Sequence, residues 1–110
     1  MGKMQRTKGA AAEREVVKIV QSVWPDVARN LAQSRDGGRD LVNTPPLCIE
    51  IKRQERLNLR SAYEQCKAAA TSEEVAVVVH RSNHTQWLVT LSLEDFLGLT
   101  LSSRDEQEPD

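Results

Sequence analysis

Residues 75–79 read Val-Ala-Val-Val-Val, with no polar position among them. A strand with one wet face alternates apolar and polar residues, whereas an unbroken β-branched run marks a strand buried on both faces. Such a strand needs cover on either side of its sheet, and two stretches of helical period can provide it. Residues 10–24 are Ala-rich and then periodic, with Val16, Val17, Val20, Val23 and Trp24 on one stripe, and Pro25 stops them. Residues 59–71 place Leu59, Ala62, Tyr63, Cys66, Ala69 and Ala70 on a second stripe. Residues 47–53 alternate and predict another strand. Shorter strands are expected at 27–32, 40–42 and 86–90, and Ser92-Leu93-Glu94-Asp95 resembles a capping box opening a short helix to Gly98. The expected order is helix, three strands, helix, two strands, helix. That is an α/β fold with a central mixed sheet flanked by helices.

A chain of 110 residues predicts one domain. We place it at 9–101, between a flexible basic arm at 1–8 and an acidic, disordered tail at 102–110. The first four residues have no apolar stretch after them, which predicts no secretory signal and a cytoplasmic protein. The longest apolar run, 75–79, is far too short to span a membrane. Cys48 and Cys66 form no CxxC pair, so a zinc ribbon is not expected, and in a reducing compartment both are expected as buried thiols. The net charge of −1 conceals an asymmetry: residues 1–60 carry +5 and residues 61–110 carry −6. A near-neutral chain can therefore still present a basic face to a polyanion.

The chemistry gathers around the alternating strand. Side chains on a strand face opposite sides with period two, so Glu50 and Lys52 share a face with Cys48, while Leu47, Ile49 and Ile51 share the other. A local ion pair on an exposed strand would give the same pattern. Asp40 shifts the balance, because it follows the Gly37-Gly38 turn at the start of a short strand ten positions before Glu50. Carboxylates on strands about 4.8 Å apart can share one hard cation. Mg²⁺ takes oxygen ligands and keeps several waters, with a DNA phosphate able to complete the shell. Lys52 could hold the attacking water or neutralise transition-state charge. Glu13 lies about 20° from the middle of the first apolar stripe and Glu15 nearly opposite it. Glu13 is thus aimed at the sheet, or else is an exposed first-turn acid favourable to the helix dipole.

The segments Lys8-Gly9-Ala10-Ala11-Ala12-Glu13-Arg14-Glu15, Asp40-Leu41-Val42 and Leu47-Cys48-Ile49-Glu50-Ile51-Lys52 resemble the archaeal-type Holliday junction resolvases. They also resemble small phage and prophage endonucleases of the PD-(D/E)XK superfamily. The resemblance covers roughly residues 8–53. It implies a restriction-endonuclease-like core and an Mg²⁺-dependent endonuclease, with Mn²⁺ as substitute, acting in DNA recombination and repair. It further implies a homodimer that cuts opposing strands of branched DNA in the cytoplasm, or the host cytoplasm if phage-encoded. By position, Glu13, Asp40, Glu50 and Lys52 would be catalytic, and the carbonyl of Ile51 would join Asp40, Glu50 and Glu13 at the metal. Gln65 would support the site, or would be a surface glutamine. Lys8, Arg14, Ser34 and Arg35 would approach DNA, with Arg53, Arg56 and Arg60 added from the basic stretch after the strand. Arg39 stands where the motif has proline, and the segment before Asp40 is longer than in the archaeal enzymes.

His80 and His84 have HxxxH spacing but flank a loop after a strand, so zinc binding is not expected. Trp24 and Trp87 are expected in the core or a dimer surface. One Tyr and one Phe are too few for a stacking platform, which argues against a general single-strand binder. Two other readings stay open: a nuclease acting on linear or flapped DNA, and a catalytically idle DNA-binding protein of the same fold.

Overall fold

A computed structural model describes the backbone of residues 2–32 and 38–107 and the side chains of residues 9–32 and 38–102. The chain runs α1 (Gly2–Val20), β1 (Ala28–Arg29), β2 (Leu41–Val42), β3 (Leu47–Arg53), α2 (Leu59–Ala69), β4 (Val75–Arg81), β5 (Leu88–Thr90) and α3 (Leu93–Gln107). Among the described residues it is an α/β fold with a mixed three-stranded sheet, a two-stranded ribbon and three helices.

The sheet has the order β3-β4-β5, with β3 parallel to β4 and β5 antiparallel to β4. The apolar run of β4 divides as period two requires. Val77 and Val79 join Ile49 and Ile51 of β3 in a core covered by Ala12 and Val16 of α1. Ala76 and Val78 join Cys48 in a second core covered by Ala62 and Cys66 of α2. β4 is therefore covered on both faces. Cys48 and Cys66 are free and buried, and the Cys66 thiol donates to the Cys48 carbonyl at 3.3 Å. Burial pushes the Cys66 thiol up to about 12, so it stays neutral.

β1 and β2 pair as a separate antiparallel ribbon, Arg29 opposite Leu41. The Asp40 amide ties this ribbon to β3 by donating to the Ile49 carbonyl at 3.0 Å. α2 begins at the Asn58 N-cap, whose side chain accepts from the Ser61 amide, and it leads directly into β4.

Several boundaries differ from the sequence expectation. α1 ends at Val20 rather than Trp24, since the amides of Val23 and Trp24 both close on the Val20 carbonyl in a turn before Pro25. It starts at Gly2, where the sequence suggested a flexible arm. α3 continues through Gly98 to Gln107, into the segment expected as a disordered tail, because one interior glycine costs a helix only about 1 kcal/mol. The first strand shortens to Ala28–Arg29. No helix among the described residues is long and apolar enough to cross a membrane.

Candidate active site

β3 builds the site at its open edge, the one turned away from β4. Ile49 and Ile51 face that edge with their backbone groups. The Ile49 carbonyl accepts from the Asp40 amide, and the Ile51 amide donates to Asp40 Oδ2 at 2.7 Å. The carbonyl of a strand residue leaves on the same side as its amide, so the Ile51 carbonyl also looks toward Asp40. Asp40 is only 7% exposed, and its own carbonyl accepts from Asn30 at 2.9 Å.

A cavity of about 480 Å³ opens along this edge. It is lined by Asp40, Glu50, Ile51, Lys52, Arg53 and Gln54 together with Gly9, Ala12 and Glu13 of α1. Glu13 lies at this cavity, next to buried Ala12, and Arg29 Nε donates to its Oε1 at 2.8 Å. Lys52 Nζ stands 3.8 Å from Glu50 Oε1.

Glu50 shows what this arrangement does electrostatically. It is 6% exposed. Burial raises its carboxyl, Asp40 adds to the rise and Glu13 contributes further, while Lys52 opposes them; the outcome is about 7. Three acids therefore repel through one partly dehydrated space. A divalent cation relieves that repulsion, and Mg²⁺ commonly takes only one or two protein carboxylates plus water and phosphate. Among the described residues, no three His, Cys, Asp or Glu side chains converge closely enough to hold a metal by themselves. The donor set that fits is narrower: Asp40 and Glu50, with the Ile51 carbonyl beside them. Glu13, expected as a further ligand, is engaged by Arg29.

The remaining sequence candidates divide by location. Arg53 lines the cavity, and its buried Nε has no partner among the described residues. Arg14 and Arg56 are exposed. Arg60 is exposed too, but on a different cavity beside Tyr63 and Leu93. Ser34 and Arg35 lie outside the described residues, as does the side chain of Lys8. Gln65 does not reach the site. Ala62 and Cys66 take the buried side of α2 and leave Gln65 exposed at its flank. Glu15, expected in solvent, instead accepts from Trp87 Nε1 at 2.9 Å and pairs with Arg81 at 3.2 Å, where Arg81 also stacks over the Trp87 ring. Its 40% exposure reflects a helix flank rather than the outer face. His80 bonds Thr90 Oγ1 across β4 and β5, at 2.9 Å.

Two residues escaped the sequence reading. Arg29 was visible only as one basic residue among many, and the β1–β2 pairing is what carries it to Glu13. Arg39 forms a bidentate pair with Glu74, with Nη2 to Oε1 at 2.7 Å. Arg39, directly before Asp40, thus anchors the approach to Asp40 onto the α2–β4 connection. Arg39 holds the Glu74 carboxyl down at about 2. Comparison of the chain with protein-family models, curated proteins and solved structures finds no match.

Proposed function

We propose that this chain is a metal-dependent DNA endonuclease with a restriction-endonuclease-like core of the PD-(D/E)XK type. We further propose that it acts on branched DNA as a Holliday junction resolvase does. The observation that supports this most is the single cavity in which Asp40, Glu50, Lys52 and the Ile51 backbone meet, with Glu13 across from them on α1.

Asp40 and Glu50 would hold Mg²⁺ or Mn²⁺, with the Ile51 carbonyl as a third oxygen. Bound there, the cation would polarise a phosphodiester and acidify water. Lys52, on the same face as Glu50, brings positive charge to the phosphate as negative charge builds up on it, and its ammonium can orient the attacking water. Glu13, fixed by Arg29, faces the same space and would accept a hydrogen bond from that water. Arg53 lines the cavity, and its guanidinium charge would attract a neighbouring phosphate. Backbone contacts of this kind select DNA shape rather than sequence.

The test is incubation of purified protein with labelled four-way junction, flap and linear duplex in Mg²⁺, with an EDTA control. Metal-dependent cutting with preference for the junction is expected. Full-rate cutting in excess EDTA would overturn the mechanism, and equal cutting of linear duplex would overturn the junction assignment.

A further inference from the structure

Arg29 lies outside the three segments that carry the family resemblance, yet it holds one of the acids at the cavity. Its Nε donates to Glu13 Oε1 at 2.8 Å, with side-chain exposures of 26% for Arg29 and 15% for Glu13. Arg29 is not among the described residues lining the cavity, so its guanidinium meets Glu13 from outside that space. Its own place is fixed by the β1–β2 ribbon, where it stands opposite the fully buried Leu41. The next residue, Asn30, donates its amide to the Asp40 carbonyl and its Nδ2 to the Arg39 carbonyl, both at 2.9 Å. One short stretch of chain thus grips the backbone of Asp40 and the carboxylate of Glu13 together.

That grip has a consequence for charge. Glu13 shares the cavity with Asp40 and Glu50, but no three acids among the described residues converge closely enough to hold a metal together. The ion pair gives a reason. A carboxylate already bound to a guanidinium gains little by turning to another cation. Turning would also leave Arg29 partly buried without its partner, which is costly. Without the guanidinium, Glu13 would be a third carboxylate drawn toward any cation held by Asp40 and Glu50.

We infer that Arg29 is a positioning residue that weakens metal binding: it withholds Glu13 from the metal's shell and leaves that carboxylate to the attacking water. The inference rests on the nuclease reading of the cavity and adds a sign to it. A partner that orients a metal ligand strengthens binding, and its loss lowers metal affinity by about 10–100-fold. Arg29 is instead a cation held on an acid that could ligate, so its loss raises metal affinity.

The test is titration of Mn²⁺ alone into the purified full chain, read by calorimetry and by the electron paramagnetic resonance of free Mn²⁺. Arg29→Met keeps a stem but no charge and should bind Mn²⁺ about tenfold tighter than the wild type. Arg29→Lys returns the charge and should restore the wild-type affinity. At saturating Mn²⁺, Arg29→Met should still cut a four-way junction at least about tenfold more slowly, because Glu13 has left the water. Equal or weaker Mn²⁺ binding by Arg29→Met overturns the proposal, as does an Arg29→Lys variant that binds as tightly as Arg29→Met. Cutting by Arg29→Met at the wild-type rate overturns the role assigned to Glu13. A wild type that binds Mn²⁺ but cuts no DNA counts against the nuclease reading alone, because the binding comparison needs no DNA. If Arg29→Met does not fold, the double variant Arg29→Met/Glu13→Gln decides, since it leaves neither charge unpaired. Mn²⁺ affinity within about threefold of the wild type supports the proposal, and a larger change overturns it.

Discussion

A glutamate carboxyl raised to about 7 is only partly ionised at neutral pH, and that has a measurable thermodynamic consequence. Because the folded value lies above the unfolded value near 4.5, the protonated form favours folding. The contribution is fully present below about 4.5 and is lost as pH rises toward and through 7. Relative to Glu50→Gln, the wild type should lose on the order of 3 kcal/mol between those limits. Urea unfolding of both proteins at several pH values checks this, and a parallel pH dependence would contradict it. Mg²⁺ should flatten the wild-type curve by holding Glu50 ionised. Asp40→Asn keeps an oxygen for the Ile51 amide, so the fold should persist while cutting is lost and DNA binding is kept or tightened. Lys52→Ala should slow cutting by about 10²–10³-fold and weaken binding. A wild-type cutting rate in single-turnover assays of either variant would remove that residue from the site. These residues were legible because strand alternation and the Asp40–Glu50 spacing depend on short-range geometry. Arg29 and the Arg39–Glu74 pair were not, because their partners lie 16 and 35 positions away.

Elements set which acid faces the cavity. Turning with α1, Glu13 reaches the cavity and Glu15 reaches Arg81 and Trp87 at the β4–β5 end. Glu13→Gln should therefore cut far more slowly, whereas Glu15→Gln should cut at nearly the normal rate and lose about 0.5–1 kcal/mol of stability. Equal effects on cutting would mean that both acids serve the site. The loop before β2 makes a second case. Arg39→Ala should cost about 1–2 kcal/mol, the upper range for a partly exposed bidentate pair, measured by denaturation at pH 7. Since the Glu74 value is depressed, this difference should be present above about 4.5 and fade as pH falls toward 2. Fold legibility also follows from the elements. β3 and β4 were readable because burial on one or both faces writes itself into the hydrophobic pattern. α3 was readable at its Ser92 cap but not at its end, because its apolar stripe faces away from the core that a sequence pattern is assumed to serve. Gln65 failed for a related reason: a residue 80° or so from a stripe centre is placed by the helix's seating, which the sequence leaves open.

For the whole molecule, the question is how a small acidic-to-neutral chain would hold DNA. Its net charge of −1 gives no general attraction, so binding has to rest on where its cations stand. Arg53 is at the cavity, while Arg14 and Arg56 are exposed and free to meet backbone phosphates. The acidic half of the sequence includes α3 with Glu94 and Asp95. Each phosphate neutralised by these arginines releases condensed counterions, so affinity should fall steeply as salt rises. Removing one contact should lower affinity for every junction sequence alike and reduce the logarithmic salt slope by about one. Arg53→Ala and Arg56→Ala should both behave so, and Arg53→Ala should also slow cutting because it borders the carboxylates. Competition binding of four-way junction against linear duplex of equal length, repeated at several salt concentrations, reads all of this. An unchanged slope in both variants would place the DNA elsewhere on the molecule, and strict dependence on one base sequence would replace shape recognition with base readout.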